Sequence, residues 1–313
     1  MSKKKELEIV SHTTMNHLEI FLLEMILRQP HGHEDLEIGI LLEGSVYLFL
    51  ETELYTLNKG DIYILNRYQI HSFSQTDEKN KILAFQLSSD FYRQLNPVLA
   101  YIQFENTIIH SGLLHNQLHE KLVSCALCYF NQETYYELRC GSLMLEILYD
   151  ILTNTHSRIK SEKESLLAQS NSLRLTRITD YISRHYTENI CLQDIADMEG
   201  ITVYHLSHFI KKMLGISFQE YLNNVRFEHA LQLVRQSDFN ILDICLETGF
   251  SSSRYLNQMF EKKLGCTAKE YRKRDVKPVV FVPSLPADNI QRRYSACQAK
   301  NCLLKSECSE PKV

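Results

Sequence analysis

"GITVYHLSHFIKKMLG" (residues 200–215) is followed by "GFSSSRYLNQMFEKKLG" (residues 249–265), and both stretches have a glycine at each end and similar polar positions between. Asp194, Ile195 and Gly200 recur as Asp243, Ile244 and Gly249 at a spacing of 49. Leu206, Lys212, Gly215, Glu220 and Tyr221 recur as Leu256, Lys262, Gly265, Glu270 and Tyr271 at a spacing of 50. The second copy therefore carries one extra residue in its turn. A near-constant period held over some thirty residues marks an internal duplication.

Each copy reads as a short helix (about 192–198 and 241–248), a glycine turn, and a second helix (about 203–213 and 252–263). In the first copy Ile195, Ile201, Leu206 and Phe209 fall on the inward side. Ala196 is a small residue where two helices cross closely, and Cys245 takes its place in the second copy. A small residue, four steps, a glycine and a second apolar helix is the helix-turn-helix arrangement, whose second helix enters the major groove. The helical stretch "SFQEYLNNVRFEHALQLVR" (217–235) joins the two units.

Once the apolar face is assigned, the exposed face of the first reading helix carries Tyr204, Ser207, His208 and Lys211, with His205 beside them. On the second helix it carries Arg254, Asn257, Gln258 and Glu261, with Ser253 at the start. These side chains can satisfy base edges: Arg forks onto guanine, Asn and Gln pair with adenine, and an aromatic ring packs on a thymine methyl. Thr202 and Ser251 read as helix caps, and the free amides of each N-terminus can hold a phosphate. Lys211, Lys212, Lys262 and Lys263 add sequence-independent attraction. A solvated helix face is the plainer account of any one of these residues, but repetition of the pattern on two helices favours DNA reading. Two such helices held by one linking helix are expected to reach successive major grooves, about 34 Å apart.

Residues 173–274 resemble the DNA-binding domain of the AraC/XylS family of transcription regulators. The second unit, "NILDICLETGFSSSRYLNQMFEKKLGCTAKEYRKR" (240–274), is similar to that family's signature region. Ser252 stands where many members have Asp or Pro nearby, Cys245 replaces the usual Ala, and Ala268 replaces a common Pro. The resemblance covers about a third of the chain. It implies a homodimeric regulator, an activator or a repressor, that binds double-stranded DNA, takes a small-molecule effector and contacts RNA polymerase.

The rest of the 313 residues differs in pattern. From about 16 to 87 the period is two, in runs such as "HLEIFLLEM", "LEIGILLEG", "SVYLFLETE", "DIYILNRY" and "KILAFQLSS" separated by turn signals, which reads as an antiparallel sandwich or barrel. From about 112 to 153 the period is helical: Leu114, Leu118, Leu122 and Cys125 form one stripe and Leu143, Ile147 and Ile151 another. A break near "FNQET" between them gives an antiparallel helix pair. The expected fold is α+β, with an N-terminal cupin-like barrel and helix pair (1–156), a polar linker (157–172), an all-α domain of two helix-turn-helix units (173–274) and an extension of unknown role (275–313).

"HGHEDLEIGILLEG" sets His31, His33, Glu37 and Gly44 at H-x-H-x3-E-x6-G, and His71 follows Gly60 by eleven residues. Neighbouring barrel strands could converge three imidazoles and a carboxylate, donors that suit Zn, Fe or Mn. The spacing resembles the cupin pattern shared by the family's sensor domains. Asn66 and Tyr68 stand where metal-binding cupins have Pro and Gly, and the resemblance implies that metal-free members are common. Metal binding, an effector-lining role and a purely structural role all stay open. The expected effector site is His31, His33, Glu37, Tyr47 and His71, with a sugar or related metabolite as ligand and no metal or cofactor. Tyr47, Phe49, Tyr55, Tyr63 and Phe73 alternate on these strands, either as ligand lining or as core.

Charge sharpens the division. Residues 1–170 carry 14 Lys and Arg against 22 Asp and Glu, whereas 171–274 carry 14 against 12, so a polyanion meets the rear half of this net −4 chain. The basic start has no apolar stretch behind it, and nine irregularly spaced cysteines read as reduced thiols, so a cytoplasmic location is expected. Cys297, Cys302 and Cys308 are spaced unlike a zinc site, and the tail reads as a poorly ordered appendage. The competing function is a metal-dependent cupin enzyme fused to a DNA-binding module, which would need bound metal and turnover. The duplicated helical unit favours a regulator, for an enzyme has no need of it, and the acidic net charge disfavours an unspecific nucleoid-coating protein.

Overall fold

The structure, a computed structural model, describes residues 15–50, 53–273 and 289–307. The chain divides into two compact units: Met1–Leu173 together with Asn289–Val313, and Arg174–Asp288.

In the front unit, β1 (Leu18–His31), β2 (Leu36–Glu43), β3 (Ser45–Leu50), β4 (Glu53–Asn58), β5 (Ile62–Leu65), β6 (His71–Gln75) and β7 (Lys81–Leu87) are followed by the short helix α1 (Ser89–Arg93), β8 (Ile102–Phe104) and β9 (Ile108–Ile109). The main sheet runs β4-β3-β6-β1-β7-β2-β5-β9, and every pairing given for it is antiparallel. Period two explains the two faces of β1. Leu18, Ile20 and Leu22 pack towards the helices, whereas Phe21, Leu23 and Met25 fill the core between the strands. The helical stripes form α2 (Leu113–Asn131) and α3 (Tyr136–Asn154), with Leu118, Leu122, Cys125, Ile147 and Ile151 fully buried in the first of these cores.

The stretch expected as a linker is ordered secondary structure. β10 (Ser157–Ile159) pairs with β8, and α4 (Glu162–His185) begins directly after it. A reciprocal cap explains this start: Ser161 N donates to Glu164 Oε2 at 2.7 Å, and Glu164 N donates to Ser161 Oγ at 3.3 Å. The boundary between the units falls inside α4.

The C-terminal segment is no loose appendage. β11 (Asn289–Arg293) pairs with Leu23–Arg28 of β1, and α11 (Ala296–Glu307) packs Ala299 and Leu303 into the helix-side core. Leu27 pairs with both Ser74 of β6 and Ile290 of β11, so β11 covers the edge of β1 that β6 leaves open. Cys297 is exposed and Cys302 partly buried, while Cys308 and the stretch 276–288 lie outside the described residues.

The rear unit consists of the second half of α4 followed by α5 (Leu192–Glu199), α6 (Val203–Leu214), α7 (Phe218–Gln236), α8 (Ile241–Thr248), α9 (Ser253–Leu264) and α10 (Ala268–Lys273). The duplication is visible in the caps. Gly200, Gly215, Gly249 and Gly265 all end helices in the left-handed conformation. Thr202 caps α6 and Ser252, not Ser251, caps α9, each accepting from the amide three residues on. Ser217 with Glu220 starts α7 as Thr267 with Glu270 starts α10. Each unit has its own core, and α7 supplies both: Tyr221, Leu222 and Val225 to the first, Phe227, Ala230 and Val234 to the second. In α6 the fully buried partner of Leu206 is Ile210; Phe209 is only partly buried, with the Arg174 guanidinium 5.5 Å above its ring.

Candidate DNA-binding face and sensor cluster

On α6, burial of Leu206 and Ile210 turns the remaining side chains outward. Tyr204 is 68% exposed, and His205, Ser207, His208, Lys211 and Lys212 are exposed with it. The Tyr204 and His208 rings lie 4.5 Å apart, a flat polar-edged surface one helical turn long. On α9, Leu256 and Phe260 are buried, leaving Arg254, Gln258, Glu261 and Lys262 exposed and Ser253 partly buried at the start of the helix.

Two expected contacts are engaged elsewhere. Asn257 is partly buried, and its Oδ1 accepts from Ala268 N at 3.0 Å, so it caps the start of α10. The Lys263 side chain is exposed, but its ammonium lies 4.9 Å from the centre of the Phe227 ring, and partial desolvation there holds its pKa below the ordinary lysine value. Sequence spacing put Asn257 on the outer face because the start of α10 could not be located from it.

Contacts within the rear unit join its two halves. Arg226 donates to the carbonyls of Tyr186 and Glu188, Asn223 Nδ2 donates to Tyr255 OH, and the rings of Tyr186 and His229 stack 4.0 Å apart. A Cβ at Gly249 would lie 2.7 Å from Tyr186 O, so this turn requires glycine for space as well as for its positive φ.

In the front unit, β1, β2 and β6 bring together the histidines and the carboxylate expected from the sequence. Ring centroids of His31 and His71 lie 4.3 Å apart, and those of His33 and His71 5.1 Å apart. Glu37 Oε2 lies 3.2 Å from His33 Nε2 and accepts from Gln86 Nε2 at 3.0 Å, while Glu37 Oε1 accepts from Tyr63 OH at 2.8 Å. Burial raises the pKa of Glu37, but the hydrogen bond and charge of His33 outweigh it and bring it to about 2. Burial, with His33 beside it, brings His71 down to about 3, and burial with Arg28 alongside depresses His31.

Tyr47 does not belong to this cluster. Val46, Leu48 and Leu50 of β3 point inward, so Tyr47, 37% exposed, is on the opposite face. The aromatic in contact is Tyr63, 1% exposed, whose ring occupies the space beside Gly39; a Cβ there would come within 2.1 Å of it. Arg28, Gln86, Gln291 and Arg293 also line the site, and the last two come from β11. Cross-strand register explains Gln86, which pairs opposite Glu37, but nothing in the sequence pattern signals that the far C-terminus contributes. The space there is small, about 30 Å³. Larger cavities lie elsewhere in the unit: an apolar one of about 260 Å³ lined by Leu36, Leu99, Phe104 and Leu148, and a polar one of about 330 Å³ lined by Arg67, Asp90, Arg93 and Gln169.

Residues 24–95 match the family described as "AraC-like ligand binding domain", and residues 195–274 match "Helix-turn-helix domain". The HTH-type transcriptional activator RhaS of Citrobacter koseri is 30% identical over 112 residues, 35% of this chain and 40% of RhaS. Separate parts of the chain are thus similar to the two kinds of domain found in AraC-type regulators. An uncharacterised HTH-type transcriptional regulator of Staphylococcus aureus MRSA252 is 26% identical over 203 residues, 58% of this chain. The match spans only about a quarter (27%) of that relative's length. Among solved structures, ToxT from Vibrio cholerae is similar over 82% of this chain and 98% of its own, at 15% identity and a TM-score of 0.39. The match to the AraC-like ligand binding domain lies in the front unit and the match to the helix-turn-helix domain in the rear unit.

Proposed function

We propose that this chain is a sequence-specific transcription regulator of the AraC type, acting in the cytoplasm as a homodimer, that binds double-stranded DNA through α6 and α9 and answers to a small ligand in the front unit. The observation that carries the reading is the repeated outward face. Tyr204, Ser207, His208 and Lys211 on α6, and Arg254, Gln258, Glu261 and Lys262 on α9, stand on helices whose opposite sides are fully buried. His205 at the start of α6 and Ser253 at the start of α9 flank these faces. The capped N-termini at Thr202 and Ser252 orient backbone amides towards a phosphate, and Lys212 with Lys262 adds charge at the C-terminal turns.

His31, His33, Glu37 and His71 form the polar end of the ligand site, without Tyr47. A site for a metabolite of sugar size occupies roughly 300 Å³ or more. The space beside the histidines is about 30 Å³, so such a ligand reaches them only with β11 withdrawn. Withdrawal of β11 would connect occupancy of the front unit to the chain that leaves α10, which is one route from effector to DNA and to RNA polymerase. No described helix is long and apolar enough to cross a membrane. The similar proteins are named as transcription regulators, which favours a binding protein over an enzyme.

Selection from a random duplex pool tests the reading. Enrichment of a motif with two boxes about one helical turn apart is expected. Binding that shows no sequence preference at physiological salt would overturn it.

A further inference from the structure

We propose, resting on the reading that α6 and α9 enter the major groove, that Glu261 selects a cytosine in the box read by α9. This makes the second helix-turn-helix unit the discriminating one of the pair and the first the anchoring one. The duplication supplies an internal comparison. Both helices have 12 residues, α6 between the caps Thr202 and Gly215 and α9 between Ser252 and Gly265. Leu206 and Ile210 are buried in the one where Leu256 and Phe260 are buried in the other. Positions 50 residues apart therefore face the same way, and Lys211 corresponds to Glu261. Both are exposed, so the charge is reversed at the same point of the outward face.

Position and chemistry decide what a carboxylate does there. Arg254, Gln258 and Glu261 lie on one side of α9 and cover about 10 Å of its length, or about three base steps. The Glu261 carboxylate forms no ion pair or hydrogen bond among the described residues. Phosphates repel it, and in the major groove only two groups donate to it, N4 of cytosine and N6 of adenine. Adenine presents the N7 acceptor beside N6, which repels the second carboxylate oxygen, whereas cytosine presents its amino group alone. Cytosine is therefore the base from which Glu261 accepts. At any other base the carboxylate stands unpaired among acceptors, a penalty that a lysine in its place does not impose.

The two boxes then differ in character. In the α9 box Arg254 suits a guanine, Gln258 an adenine and Glu261 a cytosine, in that order along the groove. On α6, Lys211 at the matching point is attracted to phosphate whatever the sequence, and Lys212 beside it adds to the same effect. A wrong base in the α9 box therefore costs more than one in the α6 box, and the pair of unlike boxes gives the site a direction.

The test uses full-length protein: selection from a random duplex pool, then competition by fluorescence anisotropy against single-base variants of the enriched site. Arg254→Ala and Tyr204→Ala mark which box belongs to α9 and which to α6. In the α9 box, replacing the cytosine by thymine puts a carbonyl where the amino group stood and should weaken wild-type binding about fivefold or more. Glu261→Ala should remove this penalty at that one base pair, and Glu261→Gln should move the preference from cytosine to adenine. Glu261→Lys should bind unrelated duplex more tightly, with a salt slope larger by about 1, whereas Lys211→Glu should weaken binding to all sequences and leave base preference unchanged. Wild-type protein indifferent to every cytosine in the α9 box overturns the proposal, and this result needs no variant to fold. Glu261→Ala protein that keeps the full cytosine preference overturns it as well, and leaves the regulator reading standing. A wild type that enriches no motif at all overturns both.

Discussion

Arg254 and Asn257 sit one helical turn apart on α9 and have different roles. Arg254 is exposed, and if its guanidinium forks onto a guanine, Arg254→Ala lowers affinity for the selected site by about 1–3 kcal/mol and relaxes preference at that base pair. A competition assay against single-base variants of the site checks this. Asn257 holds Ala268 N, so Asn257→Ala should cost about 1 kcal/mol of stability in a thermal melt and leave base preference unchanged. Gly249 and Gly200 make a second pair. Both have positive φ, but a Cβ at Gly200 meets nothing within 4 Å, whereas at Gly249 it meets the Tyr186 carbonyl. Gly200→Ala is therefore expected to cost about 1–2 kcal/mol. Gly249→Ala costs more, because the strain is joined by a clash with backbone, and chemical denaturation of the two variants gives the order.

At the scale of elements, the rear unit is two small cores strung on α7, and what joins them is specific. Arg226 donates from α7 to the two carbonyls beyond the end of α4, and both bonds are lost together in Arg226→Ala. A loss of about 2–3 kcal/mol is expected, with affinity for the full two-box site falling more than affinity for a single box. Gel shifts on one-box and two-box duplexes separate these effects. Charge acts differently from geometry here. Lys211, Lys212 and Lys262 are exposed at helix C-termini, and replacing any one by Ala should weaken binding to all sequences alike and reduce the salt slope by about 1. The fold of this unit was legible because glycine caps and buried leucines recur at fixed spacing. Asn257, Lys263 and the choice of Ser252 over Ser251 as cap were not, since each depends on a neighbour from another element or on one residue of helix register.

For the whole molecule, the segment after residue 288 matters most to the front unit. β11 closes an edge of β1, Gln291 and Arg293 line the histidine cluster, and Ala299 and Leu303 complete a core begun nearly three hundred residues earlier. A chain ending at residue 288 is expected to melt at lower temperature in its front unit and to self-associate through the uncovered strand edge. Calorimetry and light scattering read both effects. An unchanged melt would show that β11 and α11 contribute nothing to that core.

The sequence by itself determined the duplicated helix-turn-helix, the period-two front half, the helix pair and the gathering of His31, His33, Glu37 and His71, because each is written in spacings that local geometry turns into a face or a strand. Only the tertiary structure decided that Tyr47 faces away while Tyr63 and Gln86 hold the carboxylate, that the polar stretch at 157–172 is strand and helix, and that residues 289–307 belong to the front unit. These outcomes rest on pairings between strands and helices far apart in the chain, and a periodic pattern records which side a residue faces without recording what it meets there.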